Sequence, residues 1–340
     1  MNDDEAKVRR LCEQVLGQEP TGCEPVAAGL GLRRFLRIRF SGPPHRAIAR
    51  IEAEEDPAGR PAGSAPEPAL EPVRALLERH GIRVPARLAS DETAGIEILE
   101  DAGEDALDAV AAADPARARR LLDTVVDDVA RLQAIGPAPG VEAFDRQLDA
   151  DLFAYKGDLF ASWSLPVALG RPATEAERAE VAAAFAHIAA VSRDAPQRLA
   201  HRDLQSRNLL VRDDEVIWID LQGAFMAPPE YDLVCLLRDS YVAWPDDVVS
   251  EALERVRPRL PDAPEAAEFD ERFALLTLSR KGKDHARFQY VDATRGVTPD
   301  PGHLATTVRH LKRAAAELAD RAPVLASLAG WIDAFPEAQT

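Results

Sequence analysis

Three cysteines, Cys12, Cys23 and Cys235, are all that 340 residues offer. The number is odd, no pair is spaced C-x-x-C, and no histidine cluster lies beside them. Neither a disulfide framework nor a zinc site is indicated, and a reducing cytoplasm is the expected setting. Long apolar runs are missing too. Nothing approaches the roughly 18 residues of a membrane span, and the acidic start from Met1 to Glu5 carries no leader pattern, so the expectation is a soluble, unexported protein with no membrane partner. Aromatic residues are 6% of the chain and form no obvious cluster of the kind that cages a quaternary ammonium. Lysine is absent between Lys7 and Lys156. Positive charge is in the minority: 41 basic against 58 acidic residues leave a net charge of -17, a field that repels nucleic acid and anionic membranes. Any anionic ligand therefore needs local cations, a metal or helix N-termini to offset that field.

What is present suffices for one large core or two moderate ones, with 46% hydrophobic residues. Residues 5–17 place Val8, Leu11, Cys12, Val15 and Leu16 on one helical face. Between Val26 and Phe40, Gly29 and Gly31 precede an alternating apolar and basic run, which predicts strand, glycine turn, strand. Residues 46–52 supply a third strand. Residues 53–68 have no apolar period and predict a mobile surface loop. A helix over 68–79 and strands over 87–90 and 95–100 follow. From Glu104 to about Ala195 the pattern is almost wholly helical. The chain therefore divides into an N-terminal lobe, 1–103, with a hinge near 97–103, and a C-terminal lobe, 104–340. Two β-prone pieces, 209–211 and 216–219, flank a polar turn, and helices resume near Tyr231. The fold class is α+β.

The segment 199–222 interrupts the helices. His201, Asp203 and Asn208 fit His-x-Asp-x-x-x-x-Asn on a loop before the hairpin, whose second strand runs into Asp220. Phosphoryl transfer needs such a set: one carboxylate orients and finally deprotonates the attacking hydroxyl, and Mg²⁺ takes hard oxygen ligands beside the phosphates. Asp203 is the candidate base. Asn208 and Asp220 are the candidate metal ligands, and His201 buttresses the loop. The alternative is a polar turn whose Asp and Asn serve the backbone. Gly29 and Gly31 are either a phosphate-covering loop or a plain hairpin turn. A glycine turn, a sheet, a helix over 68–79 and then residues 96–101 resemble a kinase small lobe and hinge in order, which implies adenine bonded to backbone groups near Glu100, although a simple edge strand explains 96–99 equally well.

His201-Arg-Asp-Leu resembles the protein-kinase catalytic loop, but no Ala-Pro-Glu or Asp-Phe-Gly signature follows. The chain passes from Asp220 almost directly into Pro228-Pro-Glu-Tyr-Asp-Leu-Val. That short link resembles the aminoglycoside phosphotransferase and choline kinase superfamily. Within it, the chain is most similar to bacterial anomeric sugar kinases acting on N-acetylmuramate and N-acetylglucosamine, through Arg33-Arg-Phe-Leu-Arg, the 201–211 loop, Ile219-Asp-Leu-Gln, the run from Tyr231 to Tyr241 with Trp244 and Pro245, and Arg280 with Lys283. The resemblance implies a bilobal protein-kinase-like fold, ATP with Mg²⁺, and transfer to a sugar's anomeric hydroxyl in cell-wall recycling.

Two departures stand out. The small-lobe lysine that usually holds the α- and β-phosphates is missing. Arg50 is its candidate substitute, unless it is a solvent-facing strand residue and Arg37 or Arg39 does this work, or none does. Gly223 stands where the sugar kinases tend to carry an acid. Arg207 would meet the γ-phosphate or an acidic substrate group, or else pair with a surface carboxylate. Asp232 is expected to support its helix start and the catalytic loop, and Arg238 and Asp239 to form surface ion pairs. Arg280, Lys281, Lys283 and Arg287 form a basic cluster. It either lines an acceptor pocket through Arg280 and Lys283 or is a solvated face paired with Asp284. A sugar kinase, an antibiotic kinase and a nucleotide-binding pseudokinase are the competing readings.

Overall fold

The computed structural model describes residues 3–26, 33–52, 68–319 and 321–336. Gly29, Gly31 and residues 53–67 of the expected loop lie outside them.

The chain opens with helix α1 (Asp3–Leu11), acidic in its first turn as the helix dipole favours. A π-helical turn, Cys12–Leu16, continues it to Gly17, whose φ of 65° ends the helix. The wider turn rotates the apolar face expected over 5–17. Val8, Leu11 and Cys12 are buried, whereas Val15 is turned out to solvent.

Strands β1 (Gly22–Val26), β2 (Arg34–Arg39), β3 (Arg46–Ile51), β4 (Arg87–Asp91) and β5 (Ile96–Glu100) form one antiparallel sheet in the order β1-β2-β3-β5-β4. Alternation decides its two faces. Ile38, Ala47, Ala49, Ile51, Ile96 and Ile98 pack with Val8, Leu11 and Cys12 in a small core beneath α1. Leu99, on the other face, belongs to a larger core that includes Leu70, Val73, Leu76 and Leu77 of helix α2 (Leu70–Arg79).

Beyond Glu100 the chain is mostly helical. Helix α3 (Leu107–Ala113) leads to α4 (Pro115–Gln133), which starts on Asp114 capping the amide of Arg117, with proline at the first position. Helices α5 (Ala150–Leu159), α6 (Leu165–Leu169) and α7 (Glu175–Asp194) follow, the last opened by a Thr174–Glu177 capping box. Strand β6 (Arg198–Ala200) pairs with β9 (Phe225–Ala227), and between them lies the hairpin of β7 (Leu209–Arg212) and β8 (Glu215–Trp218). Helices α8 (Tyr231–Leu237), α9 (Asp246–Val256), α10 (Ala266–Arg295), α11 (Pro301–Leu318) and α12 (Ala326–Asp333) complete the fold. Along α10, residues from Phe269 to Ala286 are largely buried, so this helix runs through the larger core. No described helix is long and apolar enough to cross a membrane.

Candidate active site

The loop from His201 to Asn208 is held from beneath by two buried acids. Asp232, in the first turn of α8, accepts the amides of His201 at 2.6 Å and Arg202 at 3.1 Å. Asp239, just past α8, accepts the amides of Ser206 at 2.7 Å and Tyr241 at 3.1 Å. Burial pushes the Asp232 carboxyl up to about 6, against the opposing pull of the two amides. Arg202 sits at φ 81°, a conformation that costs a non-glycine residue about 1–3 kcal/mol and is held here by the Asp232 bond.

His201 donates from Nε2 to the carbonyl of Ile219 at 2.8 Å and accepts the Asp203 amide on Nδ1 at 3.3 Å, which assigns it the neutral Nε2–H tautomer. The ring thus ties the loop to the residue before Asp220. Asn208 donates from Nδ2 to the Asp203 carbonyl at 2.8 Å, and its own carbonyl accepts the Ile219 amide at 3.0 Å. These bonds bring Asp203, Asn208 and Asp220 to one end of the β7–β8 hairpin. Asp220 is exposed, adopts φ 64°, and accepts Gln222 Nε2 on Oδ1 at 2.5 Å.

Arg280 reaches this loop from α10. Its Nη1 donates to Asp203 Oδ1 at 2.7 Å and to the Arg202 carbonyl at 3.1 Å, and its Nε lies 3.4 Å from Asp284. Burial alone would raise the Asp203 carboxyl, but Arg280, Lys283 and Arg202 hold it well below the usual carboxylate range. The solvated-face alternative for this cluster fails for Arg280 and Lys281, which are 3% and 2% exposed. Lys281 bonds Ser240 at 3.1 Å and Asp284 at 2.8 Å. Lys283 is half-buried, 3.4 Å from Asp284, and Arg287 alone of the four is solvent-exposed.

Arg50 is not solvent-facing: it is buried on β3, bonded to Glu97 of the neighbouring strand at 2.7 Å and to Glu52 at 2.6 Å. Arg37 pairs with Asp101 at 2.9 Å and with Glu104. Glu100 is clamped by Arg83 at 2.6 and 2.9 Å, by Arg212 and by the Ala86 amide, and its own amide donates to the Ala86 carbonyl. Burial would raise its carboxyl, but these bonds bring it down to about 2. Arg207 is exposed, bonds Asp108 at 3.1 Å and stacks 3.8 Å over the Tyr241 ring. The surface pairing expected of Arg238 and Asp239 is overturned, since both are buried; Asp239 holds the loop from His201 to Asn208 instead. Its separation of seven residues from Asp232, two helical turns, was the available signal. A side chain added at Gly223 would meet Arg202 Cδ at 3.6 Å.

Residues 23–272 match the phosphotransferase enzyme family. The chain belongs to that family. It is 29% identical over 269 residues to the N-acetylmuramate/N-acetylglucosamine kinase of Pseudomonas aeruginosa, covering 75% of this chain and 76% of the relative. The enzyme of the same name from Neisseria meningitidis is 27% identical, covering 73% and 76%. Among solved structures, the choline kinase LicA from Streptococcus pneumoniae superposes with a TM-score of 0.62 at 13% identity over 93% of this chain and 100% of that one. The ADP-bound aminoglycoside phosphotransferase APH(2'')-Ib does so at 0.54 and 12% identity, over 92% and 97%. The fold is therefore the kinase-like fold of these phosphotransferases, and the protein is an enzyme that phosphorylates a hydroxyl acceptor.

Proposed function

We propose that the protein transfers the γ-phosphoryl group of ATP to the anomeric hydroxyl of an amino sugar of the N-acetylmuramate or N-acetylglucosamine type. The observation that carries this reading is the charge around Asp203. Arg202, Arg280 and Lys283 surround the candidate base, a setting that repels polycationic aminoglycosides and quaternary ammonium acceptors and suits a neutral or acidic sugar. The kinases of P. aeruginosa and N. meningitidis supply the candidate sugars.

In this reading residues 1–103 form the nucleotide lobe and 104–340 the catalytic and acceptor lobe. Adenine meets backbone near Glu100, and Arg50 supplies the charge of the missing lysine by exchanging Glu97 or Glu52 for phosphate oxygens. Asn208 and Asp220 fit Mg²⁺: the amide nitrogen of Asn208 is spent on the Asp203 carbonyl, leaving its oxygen free, and the Asp220 carboxylate at the same end of the hairpin is exposed. When bound, Mg²⁺ would neutralise charge developing on the transferring phosphates. Asp203, ionised throughout the physiological range, orients the acceptor hydroxyl and takes its proton late, as little basicity is needed in a loose transition state. Arg280 fixes the Asp203 carboxylate, and Arg207 meets the γ-phosphate by releasing Asp108.

The test is ADP release from purified protein with N-acetylmuramate, N-acetylglucosamine, other hexoses, aminoglycosides and choline, with phosphorus NMR of any product. Formation of a sugar 1-phosphate that disappears in Asp203→Ala is the expected result. Turnover of aminoglycosides or choline alone would overturn the sugar assignment, and ATP binding without transfer to any acceptor would move the reading to nucleotide binding.

A further inference from the structure

Lys156 of α5 has no place in the mechanism above and no obvious place in the core. It is 7% exposed. Its neighbours at three and four residues along the helix are Leu152, Phe153, Leu159 and Phe160, an apolar stripe on which leucine or methionine would be the stabilising choice. The ammonium lies 5.2 Å from the Phe153 ring centroid and 5.1 Å from that of Tyr231, and its one hydrogen bond among the described residues goes to the Tyr231 hydroxyl at 3.4 Å. No carboxylate among the described residues pairs with it. The cations that weigh on it are Arg280 and Lys283 of α10 and Arg202 of the 201–208 loop. Helix α7, on another side of α5, buries apolar residues and Ser192. The two carboxylates of this neighbourhood are already engaged, Asp203 by Arg280 and Asp284 by Arg280, Lys281 and Lys283.

A buried cation beside other cations lacks a counter-ion. In the proposed reading Asn208 and Asp220 hold the metal beside the transferring phosphates, whereas Arg280 and Lys283, the cations that act on Lys156, line the acceptor pocket, so the missing anion is one that the acceptor brings. We propose that Lys156 is the counter-ion for a carboxylate carried by the acceptor, and that it sets the preference of this site for an acidic over a neutral sugar. This inference rests on the sugar-kinase reading. Burial first, then Arg280 and Lys283, bring the Lys156 ammonium down to about 7 in the free protein. The amine is therefore charged and ready below that pH and must take up a proton to bind an anion above it. The Michaelis constant for an acidic acceptor is thus expected to climb about tenfold per unit above pH 7, with no such climb for a neutral one.

The experiment compares wild type with Lys156→Met, which keeps the length of the side chain and removes a buried amine, so folding is retained; a melting curve checks this. Turnover and calorimetric binding are measured with N-acetylmuramate, an acid, and N-acetylglucosamine, which is neutral. Expected is a rise of about tenfold or more in the Michaelis and dissociation constants for N-acetylmuramate, loss of their dependence on pH above 7, and values for N-acetylglucosamine within twofold of wild type. Equal effects on both sugars, or none on either, overturn the inference and leave the kinase reading intact if wild type still turns over N-acetylglucosamine. Absence of turnover with Lys156-dependent binding of the acid does the reverse: the anion site stands and the transfer reading fails. Absence of both turnover and binding overturns both.

Discussion

Asp203 shares the Arg280 guanidinium with Asp284, and in the proposed reading that sharing sets the acid side of the reaction. Asn at 203 keeps the shape and loses the charge, so Asp203→Asn is expected to lower kcat by about 10²–10⁴-fold, and to cost some stability at pH 7 because the ion pair to Arg280 is lost. Arg280→Met is the more discriminating change. Removing the nearest cation raises the Asp203 carboxyl toward its ordinary range, so the acid limb of the kcat/KM profile should move to higher pH; an unmoved limb would show that Arg280 does not control the base. The Asp203, Asn208 and Asp220 set was legible in the sequence because a short loop and one hairpin bring it together. The Arg280 contact was legible as residue type but not as role: it spans 77 residues, and helical periodicity says which residues share a face but not whether that face meets water or a catalytic loop. Lys156 was overlooked, although its apolar neighbours at helical spacing were visible.

The elements carry two further expectations. Glu100 fastens the end of β5 to Arg83 and, across to the hairpin, to Arg212 of β7. Its folded value of about 2 lies below its ordinary 4.5, so this contribution to stability is complete above about pH 4.5 and is lost as pH falls toward 2. Glu100→Gln should cost about 1–2 kcal/mol in urea at pH 7 and flatten the acid limb of the stability curve over that window. Thr174→Ala, which breaks the capping box of α7 far from Asp203, should cost about 1 kcal/mol without altering kcat, and separates stability from catalysis. The strands were legible where alternation was local: β3 over 46–51 and the β7–β8 hairpin lie within a residue or two of expectation. The π turn after α1 was not, because a residue that widens a helix leaves the apolar pattern of 5–17 intact while rotating Val15 to the surface.

At the scale of the molecule, the candidate nucleotide contacts come from both parts of the chain, Arg50 from the sheet and Asn208 with Asp220 from the hairpin. A ligand bound by the folded chain alone stabilises it by mass action, about 2.7 kcal/mol at a hundred times its dissociation constant. A non-hydrolysable ATP analogue with Mg²⁺ should therefore raise the melting temperature by a few degrees. The net charge of -17 makes the metal more important than in a basic protein, since the nucleotide's own negative charge is otherwise unfavourable in this field. Chelation of Mg²⁺ should remove most of the shift. Asp220→Asn, which turns one anionic oxygen ligand into a neutral one, should behave with Mg²⁺ present much as wild type does with the chelator, and Arg50→Ala should lose the shift in either condition. If Asp220→Asn kept the full metal-dependent shift, the hairpin carboxylate would not be a ligand, and the assignment of Asn208 beside it would fall with it.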